Sequence, residues 1–309
     1  MAKPPWLLAV SGGPDSMVLL DAAAAVLPRA ALAVATFDHG TGAHASRAAA
    51  LVASRATELR IPVVVGSAPV AARATEAEWR DARWRFLGQT AARLGARVVT
   101  GHTRDDQIET VFMRALRGAG PRGLAALYAR SGVARPLLDV SRADILSYAR
   151  SRGITFVTDP SNSDRRHLRN RVRLDILPAI LATRPMFAEE LLEIARSAAE
   201  WRARIEAVAL TFPLMIEQSG SHFARSPFAG HSDAALRVLW PALAARAGVV
   251  LDWRGTERLA SFTIDGETGQ SIQLAGGVEV RMEREALVFA PLASRPRRRA
   301  ARPERARAE

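Results

Sequence analysis

Six residues near the N-terminus combine backbone freedom with hydroxyl and carboxyl groups. SGGPDS at positions 11–16 follows the apolar run Trp6–Val10 and opens the apolar segment Met17–Val26. Adjacent glycines let backbone N–H groups approach an anion, serines add hydroxyl donors, and a helix N-terminus adds positive charge. The segment has neither the lysine of a GxxxxGK[ST] loop nor the spacing of GxGxxG. The segment therefore predicts a phosphate-binding loop that belongs to neither of these two classes. The alternative is an ordinary strand-to-helix turn in which Ser11 caps the helix.

Carboxylates cluster in GHTRDDQIET at 101–110, after a second aliphatic run. Asp106 and Glu109 are three residues apart, so a helix that starts in this segment places both on one face. Asp38 holds the same position after another such run. In an open parallel sheet, ligands bind at the carboxyl ends of the strands. Adjacent carboxylates beside a phosphate site suit Mg²⁺ or a bound cationic amine; the alternative is that these acids only cap a helix.

Two segments are rich in arginine. In EAEWRDARW at 76–84, Arg80 and Arg83 lie on one helical face, where they are placed to clamp a phosphate or a ribose-phosphate. A second segment carries five arginines in nine residues, namely Arg165, Arg166, Arg169, Arg171 and Arg173. Such density is typical of contacts to a nucleic-acid backbone. The alternative for both segments is a solvated basic surface.

The elements that must position these residues follow an α/β pattern. Short aliphatic runs at Trp6–Val10, Ala31–Phe37, Ile61–Val65 and Arg97–Thr100 alternate with segments of helical periodicity. This alternation predicts βαβ units and an open parallel sheet flanked by helices. We expect a helix over Asp139–Arg152 with Ser141 as its N-cap, and Ile154–Val157 as a fifth strand.

The same patterns divide the chain into three parts. We expect a first domain at 1–185, followed at 186–292 by a long helical linker and a small, mostly helical second domain. In this second part, helices around Ser232–Ala247 and Thr256–Thr263 precede a hairpin at Gln270–Leu274 and Val278–Val288. The Arg-rich residues 293–309 have little apolar content beyond alanine, which predicts disorder.

Composition narrows the chemistry further. The 309 residues carry 43 Lys+Arg against 31 Asp+Glu, a net charge of +12, which favours a polyanionic partner, nucleic acid ahead of membrane. The chain has no cysteine, so it cannot itself use a thiolate, a disulfide or an Fe–S cluster. Lys3 is its only lysine, which disfavours mechanisms with a catalytic lysine. No run approaches the roughly 20 apolar residues of a membrane span, so we expect a cytoplasmic location.

SGGxDS resembles the PP-loop of ATP pyrophosphatases, and the whole set of motifs resembles the tRNA(Ile)-lysidine synthases. The matching segments are SGGPDS at 11–16, FDHG at 37–40, EAEWRDARW at 76–84, GHTRDDQIET at 101–110, RGAGPRGL at 117–124, RPLL at 135–138, DPSNSD at 159–164 and RNRVR at 169–173. The resemblance covers nearly all of residues 6–180. The chain departs from the family pattern at Thr41-Gly42, where Leu-Arg is usual, at Trp79 and Trp84, and in a short C-terminal part.

The resemblance implies ligation of L-lysine to C2 of the wobble cytidine of a tRNA(Ile) with a CAU anticodon. ATP adenylates the cytidine and leaves as AMP and pyrophosphate, and codon reading changes from AUG to AUA. The resemblance also implies Mg²⁺ as a cofactor and is compatible with a homodimer.

The resemblance assigns roles to individual residues. ATP would be held by Ser11, Gly12, Gly13, Pro14, Asp15, Ser16 and Arg80. Asp38, Arg83, Asp106 and Glu109 would be catalytic; Asp106 and Glu109 would bind lysine, Asp38 and Asp105 would hold the metal, and the five arginines at 165–173 would contact tRNA. Residues 1–185 would form the catalytic domain, and the small domain within 186–292 would also contact tRNA. A tRNA thiolase of the same superfamily needs cysteines that this chain lacks. An inactive nucleotide-sensing or tRNA-binding module is the remaining alternative.

Overall fold

The computed structural model describes residues 5–38, 40, 42–67 and 75–292. The tail expected to be disordered, and His39 and Thr41 of the strand-end motif, lie outside these ranges. The chain divides into two compact units, the first ending at Arg202 and the second beginning at Ala203. This division lies within the long helix, whereas the predicted domain boundary at residue 185 precedes it.

The first unit is built on a four-stranded parallel sheet. Its strands are β1 (Trp6–Ala9), β2 (Leu32–Asp38), β3 (Val63–Ser67) and β4 (Arg97–Thr100), in the order β3-β2-β1-β4. Leu8 of β1 pairs with Val34 on one side and Val99 on the other. Aliphatic strands of this kind are buried on both faces, because helices cover a parallel sheet on both sides. The predicted α/β architecture is confirmed.

The predicted fifth strand is wrong, because Ile154–Val157 forms no strand. The apolar side chain of Ile154 instead packs against the core cluster that contains Val18 and Ile145. The backbone N–H of Val157 donates to the carbonyl of Gly12 at 2.9 Å. The segment therefore supports the phosphate-binding loop. Beyond β4, Ala134 alone forms an isolated parallel bridge to Val99.

Helices lie on both faces of this sheet. Leu8 and Val34 share a core with Met17 and Val52, while Leu7 on the opposite face packs with Leu87. Those partners belong to α1, α2 and α3 respectively. The helices of the first unit are α1 (Pro14–Val26), α2 (Ala43–Glu58), α3 (Glu76–Leu94), α4 (Arg104–Leu116), α5 (Pro121–Leu124), α6 (Arg142–Ser151), α7 (Leu168–Arg171), α8 (Leu177–Thr183) and α9 (Phe187–Leu210), which extends past the division.

Side-chain caps explain where several of these helices begin. Ser141 accepts from the backbone N–H of Asp144, so the predicted N-cap of α6 is confirmed. Thr75 of α3 and Thr103 of α4 form capping boxes with Glu78 and Asp106. Between α7 and α8, a π-helical turn at Val172–Ile176 joins the two into one continuous stretch. Short 3₁₀ turns occur at Arg29–Ala31, Ala126–Tyr128, Pro160–Ser163 and Ser226–Phe228.

The second unit packs two helices against a five-stranded antiparallel sheet. Its helices are α10 (Asp233–Arg246) and α11 (Trp253–Asp265), and its strands are β5 (Leu214–Glu217), β6 (Gly220–Ala224), β7 (Ser271–Leu274), β8 (Val278–Met282) and β9 (Ala286–Pro291), in the order β5-β6-β9-β8-β7. The predicted run Val278–Val288 is thus two strands. Its core centres on Trp240, Phe223 and Phe289. Within the described ranges, no helix is long and apolar enough to cross a membrane.

Candidate nucleotide and amine site

The loop at 11–16 joins the carboxyl end of β1 to the first turn of α1. The backbone N–H of Ser11 donates to Ser16 Oγ at 3.1 Å, and Ser16 Oγ donates to the carbonyl of Gly13 at 3.0 Å. Gly13 is the N-cap of α1 and Pro14 begins the helix, with no side chain capping it. The alternative in which Ser11 caps the helix is therefore wrong. An uncapped helix N-terminus with two hydroxyl groups beside it suits a phosphate.

Two glycines allow the backbone to fold this tightly. Gly12 has a φ of +85°, and a Cβ there would lie 3.0 Å from the Cβ of Ala48. A Cβ on Gly101, after β4, would lie 2.9 Å from the carbonyl oxygen of Asp15. The loop and the start of the carboxylate motif therefore touch through backbone.

Asp15 has a carboxylate oxygen that the protein leaves unsatisfied. Its Oδ1 is buried without a hydrogen-bond partner, and its Oδ2 lies 3.7 Å from a guanidinium nitrogen of Arg142. Burial raises the pKa of Asp15, and the charges of Asp106 and Asp105 raise it further, against the opposing charge of Arg142. A buried polar atom without a partner costs free energy unless a ligand satisfies it. This oxygen is placed to meet a cation or a donor of the bound nucleotide.

Asp106 and Glu109 of α4 form an ion-pair cluster with Arg169 and Arg173. Arg169 donates through Nε to Glu109 at 2.8 Å and through an Nη atom to Asp106 at 2.9 Å. Arg173 donates an Nη atom to Glu109 at 3.0 Å. Asp106 also accepts from the N–H of Thr103, so it caps the helix and pairs with arginine at once. Glu109, only 2% exposed, is the most buried carboxylate of the site.

This cluster joins residues that the sequence assigned to different ligands. Asp106 and Glu109 were predicted to bind lysine, and Arg169 and Arg173 to bind tRNA. Their separation in sequence of 60 or more residues leaves no local signal for the pairing. The structure confirms the one-face placement of the two carboxylates.

The two predicted metal ligands are each held by hydrogen bonds. Asp38, at the end of β2, accepts from the N–H of Gly40 at 2.8 Å and from Ser46 Oγ at 2.8 Å. Asp105 accepts from the N–H of Arg142 at 2.7 Å. Among the residues that the structure describes, no group of three or more acidic or imidazole side chains is arranged to hold a metal. The assignment of Asp38 and Asp105 to a metal stays a prediction.

Arg83 and His102 add two buried groups. Arg83 Nε is buried without a partner, and burial together with the charge of Arg80 lowers its pKa. His102 Nδ1 lies 2.7 Å from Thr100 Oγ1. Burial lowers the pKa of His102 to about 4, which keeps the imidazole neutral at pH 7. Sequence reasoning missed His102 and Arg142; the Gly-His pair directly after β4 was the available signal for the first.

The other predicted tRNA contacts divide into paired and unpaired arginines. Arg165 forms a bidentate pair with Asp175, and Arg166 pairs with Asp164. Arg171 is exposed, and its side chain makes no ion pair with any residue in the described ranges. Of the five arginines at 165–173, four are therefore neutralised locally.

A phosphate-binding turn after the first strand of a parallel sheet, with carboxylates after the fourth, defines a PP-loop nucleotide-binding protein. Residues 1–180 match the family model of the PP-loop domain. A tRNA(Ile)-lysidine synthase of Salinispora tropica is 40% identical over 255 residues, covering 78% of this chain and 74% of that relative. One from Rhodopseudomonas palustris is 43% identical over 217 residues, covering 66% and 62%. The chain belongs to the tRNA(Ile)-lysidine synthase family.

Among solved structures, the U34-tRNA thiolase NcsA from Methanococcus maripaludis matches with a TM-score of 0.50 at 16% identity. The match covers 64% of this chain and 72% of that one. At this identity the likeness supports the PP-loop fold alone.

Proposed function

We propose that this protein ligates L-lysine to C2 of the wobble cytidine of tRNA(Ile) with a CAU anticodon, with ATP converted to AMP and pyrophosphate. The product reads AUA in place of AUG, and the tRNA changes identity from methionine to isoleucine. The observation that carries the proposal is the PP-loop, with the unsatisfied Oδ1 of Asp15, beside the carboxylate pair of Asp106 and Glu109. The proposed reaction requires a phosphate site next to an amine site, and these residues supply the groups for both.

In the first step the cytidine O2 attacks the α-phosphate of ATP and pyrophosphate leaves. The N–H groups at the start of α1 and the hydroxyls of Ser11 and Ser16 are placed to hold the departing phosphates. Donors fixed before the reaction stabilise the charge that develops in the transition state without reorganising. Arg83 is proposed to face the adenylated base.

In the second step the ε-amine of lysine forms a bond to C2, the C2–O2 bond breaks, and AMP leaves. The amine must lose its proton to attack, so an anionic group beside it both binds the ammonium and accepts the proton. We assign this role to Asp106 and Glu109, with Asp38 as the next choice. Because both carboxylates are paired with Arg169 and Arg173, the ammonium must compete with a guanidinium contact.

Mg²⁺ fits the loop by the chemistry of its oxygen donors. Asp15 Oδ1 is an unpartnered carboxylate oxygen, and Asp105 lies close enough that its charge raises the pKa of Asp15. Mg²⁺ is usually bound by one or two carboxylates together with substrate phosphates. When bound, it would offset the negative charge of the departing pyrophosphate. Asp15 and Asp105 are the residues that we propose hold it, and the assignment of Asp38 to the metal stays a prediction from the resemblance.

The partners of the proposed reaction are tRNA(Ile), ATP and L-lysine, in the cytoplasm, and a homodimer is compatible with it. The test is to incubate the protein with ATP, Mg²⁺, labelled lysine and the tRNA(Ile) CAU transcript. Label in the RNA with release of AMP and pyrophosphate supports the proposal. Release of ADP and phosphate would contradict the PP-loop chemistry, and no transfer to any isoleucine tRNA would contradict lysidine formation.

A further inference from the structure

Three arginines near the site stand apart from the ion pairs described above. Arg80 and Arg83 lie one turn apart on α3, and Arg114 lies in the last turn of α4. Arg114 donates an Nη atom to the carbonyl of Gly123 at 2.6 Å. Within the described part of the chain, none of the three forms an ion pair with a carboxylate. They form what we call the open arginine cluster.

Arg80 lies close enough to Arg83 and to Arg114 for its charge to act on both. Burial is the main cause that lowers the pKa of Arg83 and of Arg114; the charge of Arg80 lowers that of Arg83 further, and the charges of Arg202 and then Arg80 lower that of Arg114. Arg83 also keeps a buried Nε without a partner. Arg83 and Arg114 are partly buried, and a charge withdrawn from water beside a like charge is costly unless an anion neutralises it. The cluster is therefore built for a negatively charged ligand.

The position of the cluster favours a phosphate of the RNA over the triphosphate of ATP. Arg114 lies eight residues after Asp106 on the same helix, about 12 Å along its axis at 1.5 Å per residue. The charges of Arg83 and of Asp106 both act on His102, which follows β4. The cluster therefore includes a group near the start of α4 and a group in its last turn. The triphosphate of ATP already has donors in the PP-loop.

An RNA substrate supplies the anion in the required place. When a base is unstacked into a pocket, the phosphates that flank it stay outside and contact arginine and lysine side chains. We infer that Arg80, Arg83 and Arg114 bind the phosphodiester backbone next to the base that enters the site. The inference rests on the proposed function, because it takes that function's RNA as the ligand.

The test is the salt dependence of RNA binding by R80Q, R83Q and R114Q. The affinity for tRNA(Ile) CAU transcript is measured by fluorescence anisotropy between about 50 and 200 mM salt, without ATP or lysine. Each lost phosphate contact should reduce the slope of log K against log[salt] by about 0.7 to 0.9. At low salt we expect binding to weaken on the order of tenfold per variant, because one charge-assisted contact is lost.

The matched control is R93Q, which removes an exposed arginine from the last turn of the same helix, α3. Its slope should equal that of the wild type. ATP affinity, measured by equilibrium dialysis without RNA, should be unchanged in R114Q and R93Q. An unchanged slope in both R83Q and R114Q would overturn the inference. So would weaker ATP binding with an unchanged slope, because the cluster would then serve the nucleotide.

Lysine variants guard against loss of folding. R114Q removes the bond to Gly123, so R114K and R83K, which keep the charge, should retain the wild-type slope while the Gln variants lose it. If R114Q does not fold, the salt slopes of R80Q and R80K are compared instead, and an equal slope in the two would overturn the inference. Failure of the proposed function gives a different result. A wild-type protein that binds the RNA but transfers no lysine contradicts lysidine formation. The salt slopes of RNA binding still test the open arginine cluster in that case.

Discussion

The two units of this chain differ in charge, although the whole protein is strongly basic. Residues 1–202 hold 28 Lys+Arg against 19 Asp+Glu, a net charge of +9. Residues 203–309 hold 15 Arg against 12 Asp+Glu, a net charge of +3, and seven of these arginines lie in the tail at 293–309. Phosphate contacts need cations. Charge therefore favours the first unit as the main RNA surface, and the contact expected from residues 186–292 must come from shape or from single side chains.

The units also differ in what they bury. Eight of the nine buried polar or charged side chains of the described residues lie in the first unit, among them Ser16, Gln107 and Glu109. The second unit is stabilised by an aromatic core in which Trp240 stacks on Phe228 with ring centroids 4.9 Å apart. The first unit therefore buries more polar side chains than the second, which is organised around aromatic packing.

The largest expected effect tests the aromatic core. Trp240 is fully buried, and its Nε1 donates to Thr263 Oγ1 at 2.9 Å. Trp240→Ala should lower the free energy of unfolding of the second unit by about 3–5 kcal/mol. Urea denaturation followed by circular dichroism measures the change. Trp253→Ala, at a tryptophan that is 71% exposed, is the control and should change it by no more than about 0.5 kcal/mol. Equal effects in the two variants would contradict the assigned core.

The second expected effect is on catalysis in the first unit. Asp15→Ala and Ser16→Ala should slow tRNA-dependent pyrophosphate release by about 10²–10³-fold, because each removes a group placed for the transition state. Binding of tRNA should be nearly unchanged. Because burial raises the pKa of Asp15, its charged form is penalised in the folded state at pH 7, so Asp15→Asn should not lower stability. Wild-type turnover in both alanine variants would make the loop a structural turn.

The third prediction concerns pH and the buried His102. Its pKa falls from 6.5 to about 4 on folding. As pH drops below 6.5 the unfolded chain takes up a proton, whereas the folded protein does so only near pH 4. Between pH 6.5 and pH 4 the free energy of unfolding therefore falls, and His102 accounts for up to roughly 3 kcal/mol of this loss. Denaturation at pH 7 and at pH 4.5 measures the loss, which His102→Gln should reduce. An identical loss in wild type and variant would refute the assignment.

Local signals explain which parts of the first unit were predictable. The PP-loop was found because a glycine turn, an apolar run and an apolar helix are adjacent in sequence. Ser141 was found because capping acts over three residues. The strand predicted at Ile154–Val157 failed because apolar residues that pack against α1 and α6 resemble those of a buried strand.

Long-range contacts explain what was not predictable. Glu109 pairs with Arg169 and Arg173 only in the folded chain, and no periodic pattern in the sequence indicates that these residues meet. Two strands of the second unit, β5 and β6, were missed. Their short runs are interrupted by polar residues such as Ser221 and His222.

The smallest expected effect separates recognition of the amine from activation of the cytidine. Asp106→Asn and Glu109→Gln keep the side-chain shape but remove the charge that pairs with the ammonium of lysine. Loss of one charge-assisted contact costs about 1.5–3 kcal/mol, or about 10–150-fold in the KM for lysine. Pyrophosphate release without lysine should change less, because adenylation precedes attack by the amine.

Asp175→Asn is the control for this last prediction, because it breaks an arginine pair of similar geometry at an exposed position, with Arg165. It should leave the KM for lysine unchanged. If both steps fail together in the Asp106 and Glu109 variants, the same carboxylates also serve the nucleotide and its metal. If lysine KM and kcat are unchanged in both, the two carboxylates are structural: Asp106 completes the capping box of α4, and both acids pair with Arg169 and Arg173. The amine site would then move to Asp38, whose carboxylate already accepts hydrogen bonds at the end of β2.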